Sequence, residues 1–296
     1  MEVNEPGKQI NKKKSRQKEY FDALIYAALI AFFLKIFFIE AFRIPTGSME
    51  NTLLVGDFLL VNKFVYGATT PMTIPFTGVR IPYFRFPALK EPHHDDVVVF
   101  DFPGYRDELK PEEPVDYIKR LIGEPGDTIQ IINKQVYING TVFPNPPSTI
   151  FSPDTSGTNI TDPRIFPKGS GWNEDNYGPL RVPKEGDIIN LTPGNIESWK
   201  MFIEREGHTV QFSTENETLI DGKQSNQYRV EQDYYFVMGD NRNNSLDSRF
   251  WGFMPRNRVI GEALIIYWSW DPNIPFSAIG RLFGSVRWDR VGKIIR

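Results

Sequence analysis

Cysteine is absent from the 296 residues, and with it go disulfides, thiolate metal sites and a cysteine nucleophile. A chain without cysteine tolerates either redox environment, so the compartment is not read from this. Histidine is scarce: His93, His94 and His208 are the only three, none stands in a recognisable catalytic setting, and nothing supports a Ser-His-Asp arrangement. The run His93-His94-Asp95-Asp96 is the one cluster with metal-ligand chemistry. Adjacent side chains on an extended chain point opposite ways and rarely converge on one ion, so a polar turn is expected there, and no metal or other cofactor. An excess of basic charge is missing too. The formal net charge is −3, which gives no reason to expect a nucleic-acid partner. Beyond Phe58 no long stretch carries helical periodicity. Runs rich in Val, Ile, Phe and Tyr alternate instead with clusters of Gly, Pro, Asn and Asp, the pattern of a mostly β fold. With 40% hydrophobic and 14% aromatic residues, the core of one large or two modest domains can be filled.

What the sequence does have begins with an apolar run. The opening residues are polar and carry Lys8, Lys12, Lys13, Lys14, Arg16 and Lys18, after which Ala23 to Ile39 is apolar except for Lys35. This is the pattern of a short membrane span, extendable to Phe42 with Glu40 at the interface and Lys35 snorkelling to the headgroups. A cleaved secretory signal shares the basic start, but Ile36 to Phe42 is bulky where a small-residue cleavage site belongs. An uncleaved anchor is expected. Only Arg43 is basic in the first stretch beyond it, so the positive-inside rule puts the N-terminus in the cytoplasm and the rest outside. Residues Thr73 to Lys90 interleave Phe76, Tyr83, Phe84 and Phe86 with Arg80, Arg85 and Lys90, and are expected to touch lipid headgroups.

Two stretches carry chemistry. In Phe42 to Leu60, Pro45 and Gly47 favour a sharp bend with an unusual φ, which would present Thr46 and Ser48 outward. In Val115 to Ile122, a strand puts Val115, Tyr117, Lys119 and Leu121 on one face, so that Lys119 is the single charge in an apolar row. Burial would push its pKa down. Arg120 faces the other way and cannot act as a base. Thr128 to Ile138 reads as a hairpin closed by Asn139-Gly140. From Thr141 to Asn195 prolines punctuate the chain and apolar runs are few, which suggests a loop-rich insertion followed by a short helix near Ile196 to Glu206. Tyr234 to Met238 then runs as an apolar strand into the polar segment Gly239 to Arg249, where Asp247 can pair with Arg249 and Ser245 offers a hydroxyl. Val259 to Trp270 is the last β-rich segment, and the tail that ends in Arg287 to Arg296 is amphipathic and too polar to span a bilayer.

Four of these stretches resemble the type I (leader) signal peptidases. Pro45-Thr46-Gly47-Ser48-Met49 behind a span is similar to that family's nucleophile box. Asp96-Val97-Val98-Val99-Phe100 is similar to its next strand, with Asp95 where a Gly is usual. Tyr117-Ile118-Lys119-Arg120, with Gly123, Pro125, Gly126 and Asp127, resembles the lysine box, and Gly239-Asp240-Asn241-Arg242 with Ser245, Asp247, Ser248 and Arg249 resembles the last one. The resemblance implies Ser48 as nucleophile, Lys119 as general base and Ser245 orienting the lysine. It implies an oxyanion hole of the Ser48 N–H and the Thr46 hydroxyl, with Asp247 and Arg249 bracing the last box. A desolvated Lys can activate a serine without histidine, and two donors at the bend stabilise an oxyanion. The implied substrates are secretory preproteins cut after an A-x-A pattern. The expected organisation is a basic N-terminus (1–19), a single-pass anchor in the cytoplasmic membrane (20–42), a catalytic antiparallel β core on its outer face (43–132 and 233–296) and an inserted variable β-rich lobe (133–232). Two other readings stay open: a Ser/Lys peptidase of the self-cleaving repressor type, and an anchored β-domain that binds preproteins without cutting them.

Overall fold

The computed structural model describes residues 16–70, 84–151, 160–213, 217–274, 281 and 283–296. Helix α1 (Arg16–Phe37) has no buried residue and is long and apolar enough to cross a membrane. Its 22 residues reach about 33 Å, the thickness of a bilayer's hydrocarbon core. Lys35 lies in its last turn. The extension of the span to Phe42 does not hold, because Ile39–Arg43 is a strand, β1. Its edge finds five backbone partners in β2 (Asp57–Asn62), and Glu40 meets Lys63 at 3.1 Å, so a chain expected in the interface is captured by the sheet. The basic residues Lys8 to Lys14 lie outside the described residues, as do positions 71–83 of the aromatic and basic loop. The described part of that loop keeps Phe84 exposed, while Phe86 sits edge-on to Phe37 at the end of α1.

The remaining elements are β3 (Val97–Asp101), β4 (Asp116–Gly123), β5 (Thr128–Ile132), β6 (Gln135–Ile138), β7 (Thr141–Val142), β8 (Tyr177–Arg181), β9 (Ile188–Asn190), α2 (Ile196–Arg205), β10 (Val210–Phe212), β11 (Thr218–Ile220), β12 (Lys223–Gln224), β13 (Gln227–Arg229), β14 (Tyr234–Met238), α3 (Ser248–Trp251), β15 (Met254–Pro255) and β16 (Val259–Ser269). A seven-stranded antiparallel sheet runs in the order β1-β2-β16-β3-β4-β14-β15. Strand β3 shows why it is buried on both faces. Val97 and Val99 join Met49, Leu53, Leu59, Val61 and Ile266 in one apolar cluster, and Val98 and Phe100 join Leu121, Tyr235, Val237 and Trp251 in another, as the two-residue period of a strand requires.

A second sheet has the order β7-β6-β5-β8. Its first hairpin turns at Asn133-Lys134, both at positive φ (49° and 71°), while Asn139-Gly140 (52° and 78°) turns β6 into β7. The chain thus folds back twice where the sequence suggests one closing turn, since Asn-Lys lacks the glycine that signals such turns. Ile129, Ile131, Val136 and Ile138 pack in one cluster with Phe236, Met238, Phe250 and Phe253. The last residues pack on the main sheet, with Arg290 and Ile295 buried and Ile294 bridged to Ile265.

Candidate active site

The bend after β1 is held from below. Ile44, Met49 and Leu53 are buried, and Ile44 exchanges backbone hydrogen bonds with the far side of the loop, donating to Asp57 O at 2.9 Å and accepting from Gly56 N at 3.0 Å. Gly47 does not have the unusual φ expected of it. The positive φ falls on Asn51 (73°) and Gly56 (91°) instead. Thr46 is exposed on the bend, while Ser48 is only 9% exposed. Backbone bonds from Glu50 N to Gly47 O (3.1 Å) and from Leu53 N to Met49 O (2.7 Å) hold the turn between Gly47 and Leu53 in shape. Among the described residues nothing accepts a hydrogen bond from the Ser48 N–H. A backbone donor left open beside a serine hydroxyl is a ready oxyanion site.

Strand β4 brings Lys119 to this bend. Although 71 positions apart, Lys119 Nζ and Ser48 Oγ are 2.7 Å apart. The amine also reaches the Ile118 carbonyl at 3.1 Å and lies 5.3 Å from the centre of the Tyr117 ring. Lys119 is 4% exposed. Burial pushes its pKa down to about 8, against the pull of the Asp247 and Asp240 carboxylates and with the help of the Arg249 guanidinium. A lysine that loses its proton near neutrality and contacts a serine oxygen can act as its general base.

Around the pair lies a set of buried ions. Arg120 Nε and Nη2 donate to the two oxygens of Asp240 at 2.8 and 2.7 Å, and Thr52 Oγ1 donates to Asp240 at 2.5 Å. Burial opposes ionisation of Asp240, but the donors from Arg120, Thr52 and Ser148 hold its carboxyl below the usual range. Arg249 and Asp247 form a second pair, Nε to Oδ1 at 2.8 Å and Nη2 to Oδ2 at 2.8 Å. Asp247 also caps α3 by accepting from Arg249 N and takes the Gly239 N–H at 3.1 Å. The third pair joins Arg290 Nη2 to Asp57 Oδ2 at 2.5 Å, and Ser269 Oγ donates to Asp57 Oδ1 at 2.6 Å.

Of the residues singled out in the sequence, Ser48 and Lys119 meet directly, and Asp247 pairs with Arg249. Ser245 is different. Its buried hydroxyl is not a hydrogen-bond partner of Lys119, which bonds to Ser48 and Ile118 instead. A Cβ at Gly239 would overlap Ser245 Oγ and the Ser48 carbonyl, so Ser245 is packed over the site through that glycine. Asp95 stands at φ 69°, the left-handed region that a glycine adopts freely and an aspartate tolerates. An aspartate can thus stand where the resemblance implies a glycine. The histidines serve turns: His94 Nε2 meets Asp127 Oδ2 at 2.8 Å, and His208 bridges Asp221 and Glu231. No described group of three or more His, Asp or Glu can hold a metal ion. Sequence reasoning misses the Arg120–Asp240 and Asp57–Arg290 pairs. For Arg120 a signal exists, since a guanidinium between Ile118 and Ile122 on a buried strand needs a carboxylate. For Arg290, 233 positions from Asp57, nothing local announces a partner.

Residues 17–268 match the family model described as Signal peptidase, peptidase S26. Signal peptidase I of Pseudomonas aeruginosa is 30% identical over 94% of this chain and 85% of that protein. The same enzyme from Buchnera aphidicola subsp. Acyrthosiphon pisum is 31% identical over 95% and 84%, and that of Aquifex aeolicus 29% over 83% and 82%. The matched residues run from α1 through the second sheet to β16. The buried Ser48–Lys119 contact thus sits in a chain that belongs to the signal peptidase family, peptidase S26.

Proposed function

We propose that this chain removes signal peptides from secretory preproteins, with Ser48 as nucleophile and Lys119 as general base. The observation that carries this reading is the 2.7 Å contact between Lys119 Nζ and Ser48 Oγ, made by a lysine whose pKa is brought down to about 8. The neutral amine takes the Ser48 proton as Oγ attacks the scissile carbonyl. The Ser48 N–H and the Thr46 hydroxyl donate to the oxyanion of the tetrahedral intermediate. Lys119 then passes its proton to the leaving amine, which departs as the mature protein's N-terminus. In the second half Lys119 takes a proton from water as it attacks the Ser48 ester, freeing the signal peptide. Asp247 and Arg249 brace the last box behind Lys119, and Ser245 orients the lysine by packing.

The substrates are preproteins with small side chains at two positions separated by one residue before the cut. Helix α1 anchors the enzyme in the cytoplasmic membrane as a single pass, N-terminus inside and β domain outside, in contact with lipid; nucleic acid is not a partner. Residues 133–232 form an inserted lobe on the catalytic core. Purified protein incubated with one preprotein should give a single cut, located by mass spectrometry. Ser48→Ala should abolish it without lowering the melting temperature, because it removes one oxygen and opens no cavity. Substantial turnover by folded Ser48→Ala protein would falsify the assignment.

A further inference from the structure

Residues 145–150 leave the second sheet and cross the loop that carries Asp240, Asn241 and Arg242. Ile150 pairs in parallel with Asn241, donating to Asp240 O at 2.8 Å and accepting from Arg242 N at 3.0 Å. Arg242 Nη1 donates to Asn145 Oδ1 at 2.7 Å. Ser148 touches both sides of the site. Its hydroxyl donates to Asp240 Oδ2 at 3.0 Å, and its carbonyl accepts from Asn51 Nδ2, on the turn after Ser48, at 3.2 Å.

The crossing matters because of what Asn241 holds. Asn241 N donates to Ser48 O at 3.1 Å, and its Nδ2 donates to Gly47 O at 3.2 Å. The Gly47 carbonyl and the Ser48 N–H belong to one planar trans peptide and point in opposite directions. Fixing that carbonyl fixes the aim of the N–H. We propose that residues 145–150 are a strap that sets Asn241 against the Gly47–Ser48 peptide, with Ser148 as a positioning residue for the reaction at Ser48. This rests on the reading of the Ser48 N–H as an oxyanion donor. The strap's other end lies in a segment outside the four boxes, so the insertion has a part in the chemistry.

The test is steady-state cleavage of a preprotein by full-length Ser148→Ala and Ser148→Thr in detergent, with melting temperatures and pH profiles. Ser148→Ala should lose roughly tenfold in kcat with KM changed less than about twofold, since an oxyanion donor acts in the transition state and not in ground-state binding. The melting temperature should stay within about two degrees, and the rise of activity with pH should not move, because Asp240 keeps its charge beside Lys119. Ser148→Thr, which restores the hydroxyl, should recover most of the loss. Wild-type kcat in Ser148→Ala, a loss confined to KM, or a kcat loss that follows the melting temperature and is not rescued by Thr would each overturn the strap. Ser48→Ala in the same assay separates the two readings: if it still cleaves, the nucleophile assignment is wrong, and if it is dead while Ser148→Ala is fully active, only the strap falls.

Discussion

The burial that would fit Lys119 for its proposed role as a base costs the fold stability. The folded protein releases the Lys119 proton near pH 8, whereas the unfolded chain holds it to about 10.4. Between these values the unfolded state binds more protons, so this group makes stability rise with pH across the window and leaves the fold weakest below it. The shift corresponds to about 3 kcal/mol at neutral pH. Lys119→Met should therefore be inactive yet melt above the wild type at pH 7, an advantage that disappears by about pH 10.5; equal melting at pH 7 would mean the lysine is not strained by burial. Activity of the wild type should rise with pH through about 8, and Lys119→Arg should be silent at every pH, because guanidinium keeps its proton. Asp95 offers a smaller test. Its φ of 69° costs an L-residue about 1 kcal/mol, so Asp95→Gly should raise stability by a fraction of that, measured by urea unfolding, and leave kcat unchanged. At this scale the sequence is legible where a charge interrupts an apolar row, as Lys119 does. It is silent where two buried charges meet from distant segments, as Asp57 and Arg290 do.

Among elements, the strands are readable because short runs rich in Val, Ile, Phe and Tyr betray β2, β3, β4, β14 and β16, whereas the proline-rich stretch conceals the short β7 to β9. The end of α1 is hidden because Ile39 to Phe42 is as apolar as the helix, and only the edge of β2 decides that it becomes strand. The closing segment is polar and amphipathic in sequence, yet Arg290 donates to Asp57 and, through Nη2, to Thr52 O at 3.0 Å. Arg287 Nη1 donates to Val55 O at 3.0 Å, so this segment clasps the loop that follows Ser48. Arg290→Met would leave Asp57, fully buried, without its cation, and breaking such a pair costs about 3–5 kcal/mol. Chemical denaturation should show that loss, with activity per folded molecule reduced because the Thr52–Val55 loop is released. Unchanged stability would mean that Ser269 and the loop amides alone satisfy Asp57.

For the whole molecule, where the chain is shortened decides the outcome. A protein lacking residues 1–37 keeps β1 and should cleave short peptides in solution at a rate near that of the full chain. One lacking residues 1–42 loses nearly all of the strand that covers β2, exposing its edge, and should aggregate or melt several degrees lower by circular dichroism. If both truncated proteins behave alike, β1 is dispensable. Both should still sediment with liposomes, since Phe84 and Phe86 remain exposed on the β body. The join between helix and sheet has a mechanical consequence. Phe38 N donates to Leu34 O and its carbonyl accepts from Lys63 N, both at 2.9 Å, so a single residue separates the end of α1 from β1 and is pinned on each side. A five-residue strand then spans about 16 Å before the chain bends toward Ser48. With Phe38 pinned, Ser48 is tied closely to the helix end, and if it is the nucleophile as proposed, a substrate should be cut where its own chain comes level with that point, much as a fixed blade selects by depth.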